Sequence, residues 1–437
     1  MNTPARSNLD LVTALQDAER RYTENNPLSK QRFPQACEHL PGGNTRSLMY
    51  FSPFPLTIKR GEGAKLWDID GHCYSDFLGE YSAGLYGHSH PKIVTAIQQA
   101  LADGFLFGGP NLYETRLAEL ICERFPSCEM VRFCNSGTEA NLLALTAARA
   151  ITGRSHTLVF QGAYHGSLLY FGHGGETMQA PYPTVSAVYN DLPGTLAVIE
   201  QHAKDLAAIL LEPMMGAAGC IQADKEFLQA LRDTATKHGI ILIFDEVMTS
   251  RLGPGGLQER LGIIPDMSTF GKYLGGGLTF GALGGREHLM ARFDARRPDA
   301  LTHSGTYNNN IPTMAAGVAG LTDVFTAEVA RSFNAAADAF RERLNGIARQ
   351  HQVRAQFTGV GSLLAMHFTD QPIRCPQDVD NGSAPELRTL FHLFMLEQGF
   401  YMARRGYMTL SLPLEASDYD GFAKAFEEFV SLHGHLW

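Results

Sequence analysis

Cysteine is scarce in this chain: seven in 437 residues, widely scattered and without a single C-x-x-C pair. An odd, dispersed set excludes a disulfide framework and zinc-ribbon spacing, and fits reduced, mostly buried thiols. A long hydrophobic run is also missing. The most apolar stretch, Leu206 to Cys220, is broken by Glu212 and Pro213, and Met1 to Asp10 carries Arg6 with no apolar segment behind it. Neither a membrane span nor a secretory signal is expected, and the expected location is the cytoplasm. Basic charge is in deficit, with 36 Lys and Arg against 45 Asp and Glu and a net charge of −9. Such a surface repels phosphate backbones and anionic lipid, so nucleic acid and membrane are not expected partners. Homopolymers and Ser/Pro-rich tracts are absent while 44% of residues are hydrophobic, which describes a globular chain. At this length two or three structural units are expected.

What is present is an alternation of short apolar runs with helical patterns, the signature of a parallel sheet with crossover helices. Candidate strands are Thr157–Phe160, Ala208–Glu212, Ile240–Asp245, Ser268–Phe270 and Gly281–Gly284. Candidate helices, with apolar residues three and four apart, are Lys92–Leu101, Thr115–Arg124, Glu139–Thr152, Phe227–Lys237 and Thr313–Phe325. From Ala327 the pattern changes to one long helix up to His351, a few short strands, and helices near Glu386–Glu397 and Tyr419–Leu432, an α+β pattern. Before Ser82 lie a helix, a Pro-Gly-Gly turn at Pro41–Gly43 and strand-like pieces around Leu56–Lys59 and Ala64–Trp67. The expected organisation is α/β: an N-terminal segment, 1–81, that joins a smaller α+β domain at 327–437, and a large domain at 82–326 with helices on both faces of a mainly parallel sheet.

The strand Ile240–Phe244 ends abruptly in Asp245 and Glu246, and in open parallel sheets strand ends face the ligand crevice. Alone, Asp245 could serve as a metal ligand, a nucleoside anchor or the partner of a protonated ring nitrogen. A second strand-like segment, Ser268–Gly271, delivers Lys272 into the loop Gly275-Gly276-Gly277. Desolvation there lowers the lysine pKa and makes the amine available to form an imine. An acid and an amine on neighbouring strand ends are what pyridoxal 5′-phosphate (PLP) requires: Asp245 keeps the pyridine nitrogen protonated, and Lys272 holds the cofactor and later carries a proton.

Asn135-Ser136-Gly137-Thr138-Glu139 opens a helix, where backbone N–H groups and hydroxyls can cradle a phosphate; a plain capped helix is the equal alternative. Tyr164, beside His165 in Gly162-Ala163-Tyr164-His165-Gly166, can cover one face of a planar cofactor while Val247 presses the other, although in isolation an ordinary loop contact is the simpler account. Glu212 ends another strand, near the ring hydroxyl or ordering the site by hydrogen bonds. His88 and His90 have no further ligand at metal spacing and read as a loop before a helix. Lys272 is no Walker A lysine, since Asp266 stands where the first glycine should be. Gly275 to Gly281 misses the dinucleotide pattern at Phe280, and neither Ser136 nor Ser304 lies in G-x-S-x-G.

With these residues in hand, the motif order resembles class III (ω-type) aminotransferases of the fold type I PLP enzymes over nearly the whole chain. The match includes Gly61 to Gly71, Gly87-His88-Ser89-His90-Pro91, Asn135 to Ala140, Tyr164-His165-Gly166, Glu212-Pro213, Asp245-Glu246-Val247, Gly271-Lys272 and Gly305-Thr306. Two branches compete: bacterial β-phenylalanine (β-amino-acid) aminotransferases and glutamate-1-semialdehyde aminomutases. Pro41 to Ile58, His303 to Asn310 and Ala403 to Leu414 are similar to the first, whereas Phe105 to Pro110 is more apolar than the matching stretch of that branch. The resemblance implies transfer of an amino group from a β-amino acid, aromatic in character, to a keto acid such as 2-oxoglutarate or pyruvate; the alternative is an aminomutase. It places a carboxylate-binding arginine at Arg405, and Arg46 is the second candidate, because alternating substrates share a carboxylate that a guanidinium fork binds well. Tyr81, Phe51 and Phe107 are candidates for an apolar side-chain pocket. Thr306 is implied to reach the cofactor phosphate of a partner subunit, so the resemblance also implies a homodimer with sites at its interface. A non-enzymatic PLP-binding regulator is disfavoured, since no DNA-binding helix pair or basic patch precedes the core.

Overall fold

The computed structural model describes residues 10–172, 175–381 and 384–437. At its centre is a seven-stranded sheet in the order Met130–Cys134, Gly281–Gly285, Met267–Gly271, Ile241–Asp245, Leu206–Leu211, His156–Phe160, Thr184–Ala187. From Met267–Gly271 through Thr184–Ala187 every neighbouring pair is parallel. Gly281–Gly285 runs antiparallel to both neighbours, which corrects the expectation of a parallel strand there. The cause is the connection: Lys272 to Phe280 is too short for a crossover, and a chain that turns straight back can only pair antiparallel. The edge strand Met130–Cys134 is the strand expected to lead into Asn135, whereas Thr184–Ala187 was not expected, because a half-covered strand carrying Thr184 and Ser186 lacks the continuous apolar run of the interior ones.

Alternation along the interior strands feeds two cores. Ile241 and Ile243 pack with Ala144 and Ala148 of helix Gly137–Thr152 on one face. Leu242 and Phe244 pack with Phe227 and Leu231 of helix Lys225–His238 on the other. Each buried Ile, Leu or Phe among them contributes roughly 1.5–3 kcal/mol by leaving water. The sheet is thereby held rigid from both faces, and the strand ends that carry Asp245 and Lys272 have little freedom to drift.

The two ends of the chain fold together. Strands Ile58–Glu62, Lys65–Asp68 and Cys73–Asp76 are completed by Phe400–Tyr401, which pairs in parallel with Cys73–Asp76. Ala14, Ala18, Tyr22, Phe51, Phe54 and Phe77 share one core with Phe391, Phe394, Phe422, Phe426 and Phe429. A three-stranded sheet, Gln356–Val360, Leu363–His367 and Tyr407–Thr409, lies beside it. Phe51 is a correction to the expected pocket: it is buried in this core, edge-on to Tyr22 and to His392 at 4.6 Å between centroids. An aromatic near an arginine in sequence does not follow it into the cleft when a larger apolar cluster is available to bury it.

Candidate active site

The parallel register sets Asp245 opposite Thr269, so Lys272 leaves the adjacent strand at the same end. Asp245 is buried, with Oδ2 accepting from Nδ2 of Asn141 at 2.9 Å and lying 2.8 Å from Nδ1 of His165, while Oδ1 accepts from the main-chain N–H of Val247 at 3.0 Å. Thr269 donates to Oδ1 of Asn141 at 2.7 Å, which fixes the amide so that its N–H faces Asp245. Asn141 also donates to the carbonyl of His165 at 3.1 Å. Asn141 and Thr269 were missed in the sequence. The available signal was an asparagine one turn beyond Gly137 on a helix face otherwise made of Ala144 and Ala148.

Lys272 begins a tight turn with φ of +58° and donates from Nζ to the carbonyl of Tyr81 at 2.7 Å. Enclosure of the ammonium lowers its pKa to about 8, with the Asp245 charge pulling in the opposite direction. Tyr81 belongs to a left-handed turn in which Gly79, Glu80, Tyr81 and Ser82 have φ of 50°, 50°, 53° and 79°. That turn is tied down at its start, where the N–H groups of Leu78 and Gly79 donate to Oδ1 of Asp76, and Oδ2 of Asp76 meets Nε2 of His88 at 3.0 Å.

Ser136 caps helix Gly137–Thr152, its hydroxyl accepting from the N–H of Glu139 at 3.1 Å. The helix start leaves the first-turn N–H groups of Gly137 and Thr138 for an external acceptor. Two glycines show how closely the surrounding loops converge. A Cβ on Gly137 would lie 2.8 Å from Cγ2 of Val247, and one on Gly166, at φ of +111°, would lie 2.2 Å from Oγ1 of Thr138. The helix start, the turn after Asp245 and the Tyr164–Gly166 loop therefore meet. Glu212 fixes that loop: Oε1 accepts from the N–H of Tyr164 at 3.1 Å and Oε2 from that of Gly216 at 2.9 Å. Burial raises its pKa to about 7. The Tyr164 ring stays partly exposed, edge-on to Tyr170.

The two arginines differ. Arg405 lies over the rings of Tyr81 at 5.7 Å and Tyr407 at 5.3 Å, and its buried Nε has no hydrogen-bond partner among the described residues. Among the described residues no carboxylate pairs with it. Arg46, at 5.8 Å from the same Tyr81 ring, is paired with Glu80 at 2.7 Å. Arg404 is exposed and reaches the hydroxyl of Thr389 at 3.5 Å. Thr306 is exposed on a turn whose Asn308 accepts from Nδ2 of Asn135, next to the helix cap, at 2.9 Å. Phe107 is 54% exposed.

A buried carboxylate held by donors, an amine with a depressed pKa at the same sheet end and a glycine-lined helix start fit a flat heterocycle carrying a phosphate. Comparison with known proteins agrees. The family model for class-III aminotransferases matches residues 50–414. The chain is 50% identical to a β-phenylalanine transaminase of Variovorax paradoxus, over 97% of both chains. The crystal structure of a β-phenylalanine aminotransferase from that organism superposes with a TM-score of 0.96, covering 98% of this chain and 99% of the other at 49% identity. A transaminase solved with PLP bound is 32% identical with a TM-score of 0.85, covering 94% and 98%. A glutamate-1-semialdehyde 2,1-aminomutase of Rhodopirellula baltica is further off, at 37% identity over 92% of each chain. Matched over most of its length by sequence and by fold, the chain belongs to the class III aminotransferases, PLP-dependent enzymes of fold type I.

Proposed function

We propose that this transaminase moves the amino group of an aromatic β-amino acid, β-phenylalanine-like, to a keto acid such as 2-oxoglutarate or pyruvate. One observation carries the reading: the guanidinium of Arg405 has no ion-pair partner among the described residues and lies over the ring of Tyr81, whose carbonyl holds Lys272. A substrate carboxylate on that fork sets the rest of the molecule against the amine. Identity of 50% to an enzyme named for β-phenylalanine supports the substrate class.

Each residue has a role. When bound, PLP supplies an electron sink for the substrate carbon that loses its proton. Lys272 is the covalent anchor, and its amine, with a pKa of about 8, takes and returns that proton near neutral pH. Asp245, oriented by Asn141 and His165, presents a carboxylate to the ring nitrogen. Ser136, Gly137 and Thr138 receive the phosphate at the helix start, Tyr164 and Val247 flank the ring, and Glu212 holds the Tyr164 loop. Arg46, freed from Glu80, is the second carboxylate site, and Tyr81 forms the apolar wall between the arginines.

The same reading includes the division at 1–81, 82–326 and 327–437, supported by the core that the first and last segments share. It also includes a cytoplasmic homodimer. Phe105, Leu106, Leu278 and Tyr307, the residue after Thr306, are exposed along one shared hollow, an apolar surface suited to a second copy. No described helix is long and apolar enough to cross a membrane. A panel of β- and α-amino acids offered to the cofactor-loaded enzyme, followed by the cofactor's absorbance change, tests the substrate. Aromatic β-amino acids should react fastest and stop after one turnover without a keto acid. Continued turnover on donor alone would favour a mutase, and sizing of Thr306→Ala tests the dimer.

A further inference from the structure

Arg251 is fully buried and has no carboxylate partner among the described residues, in the turn Thr249–Leu252 that follows the Asp245 strand. Its Nε donates to the hydroxyl of Ser362 at 3.0 Å, one terminal nitrogen donates to the carbonyl of Ser82 at 3.3 Å, and the other to the carbonyl of Leu410. The neighbouring Ser250 carbonyl accepts from the hydroxyl of Tyr273, the residue after Lys272, at 3.1 Å. An unpaired buried cation is costly, so its retention calls for a function.

Its contact with Ser82 supplies one. Glu80, Tyr81 and Ser82 are non-glycine residues in the left-handed region, a strained backbone that persists only where the surroundings over-determine it. Both ends of the turn are clamped. Oγ1 of Thr409 donates to the carbonyl of Leu78 at 2.6 Å, and Arg251 holds the carbonyl of Ser82. Between the clamps stands the Tyr81 carbonyl that receives Nζ of Lys272. Relaxing the turn toward right-handed geometry would swing that carbonyl away.

We propose that the main-chain carbonyl of Tyr81 is the seat of the free Lys272 amine during proton transfer, and that Arg251 is the positioning residue that keeps it there by pinning the left-handed turn. The inference rests on Lys272 being the cofactor's anchor. A hydrogen bond aimed at a carbonyl holds the ammonium in one direction, which lets it reach the same substrate carbon in each turnover. The charged groups acting on Lys272 are Asp245, Glu80, Arg46 and Arg251 itself, so the informative substitution keeps the last charge.

Arg251→Lys does so while losing the three-way fork. In the holoenzyme, kcat should fall about 10- to 100-fold, with KM for the amino donor within about twofold and a larger deuterium isotope effect from the donor's amine-bearing carbon. In the cofactor-free full-length chain, competitive acetylation read by peptide mass spectrometry should show Lys272 titrating at a lower pH than in wild type, because the ammonium has lost its acceptor. Thr409→Val, isosteric and acting at the other clamp, should show the same pattern to a smaller extent, and it decides the matter if Arg251→Lys does not fold. Wild-type isotope effects and an unchanged Lys272 titration in the folded variants would overturn the positioning role. Retention of wild-type turnover by Lys272→Ala would instead overturn the assignment of the anchor.

Discussion

Nδ1 of His165 lies 2.8 Å from Oδ2 of Asp245, and Nε2 of the same buried ring has no partner among the described residues. With its proton on Nδ1 the imidazole donates to the carboxylate, and Asn141 supplies a second donor to the same oxygen at 2.9 Å. Asp245 is thereby held in a fixed orientation, which is what a protonated ring nitrogen needs from it.

Asp245→Asn keeps the size and removes the charge. Whichever way it turned, its NH2 group would meet a donor, either the N–H of Val247 or those of Asn141 and His165. Cofactor should still attach through Lys272 and colour the protein, while kcat falls on the order of 10²–10⁴-fold. Steady-state rates and an absorbance spectrum of the same sample check it, and a kcat close to wild type would remove Asp245 from the chemistry.

The arginines at the cleft should separate by kinetics. Loss of a charge-assisted bond worth about 1.5–3 kcal/mol raises KM for a carboxylate substrate roughly 10- to 150-fold in Arg405→Ala. Arg404→Ala, altering an exposed side chain, should stay within about twofold. Because the Arg46–Glu80 pair is about half exposed on both sides, breaking it costs only about 0–1 kcal/mol, and Glu80→Ala should leave the thermal midpoint almost unmoved.

Glu212 gives a pH signature. Its carboxyl titrates at about 7 in the folded protein against an ordinary 4.5, because burial disfavours the anion. Between these values the folded chain binds more protons than the unfolded one, so this group's contribution to stability is full below about pH 4.5 and is lost as pH rises to about 7. The swing is on the order of 3 kcal/mol. Denaturant midpoints of wild type and Glu212→Gln across that window should diverge in slope; parallel curves would mean that Glu212 is ionised throughout.

Gly166→Ala should damage both fold and cofactor site. The new methyl carbon would sit 2.2 Å from the Thr138 hydroxyl, on a backbone at φ of +111°. A loss of about 1–3 kcal/mol in stability is expected, together with weaker cofactor retention because the Thr138 end of the cradle must move. Thermal melts and cofactor release on dialysis measure the two effects separately.

Much of the architecture is written locally. Ile241 to Phe244 form an uninterrupted apolar run, which a chain can bury only as an interior strand, and Asp245 must then emerge at its end. Lys272 after Met267–Gly271, and Ser136 capping a helix, follow from equally short stretches whose patterns are complete within a few residues. Those three segments carry the acid, the amine and the phosphate cradle, while the family rests on motifs spread from Gly61 to Thr306.

The substrate side was decided elsewhere. Tyr81 meets Lys272 across 191 positions of sequence, through a main-chain carbonyl that any residue possesses and whose direction comes from a left-handed turn held by distant clamps. Asn141 and Thr269 join Asp245 only once a helix and two strands are packed, and Phe51 goes to the core because the helices from both chain ends converge there. Local propensity acts over one turn or one strand. Carbonyl direction, ion-pair choice between Glu80 and a substrate, and the burial of one aromatic over another depend on long-range packing, which the tertiary structure alone resolves.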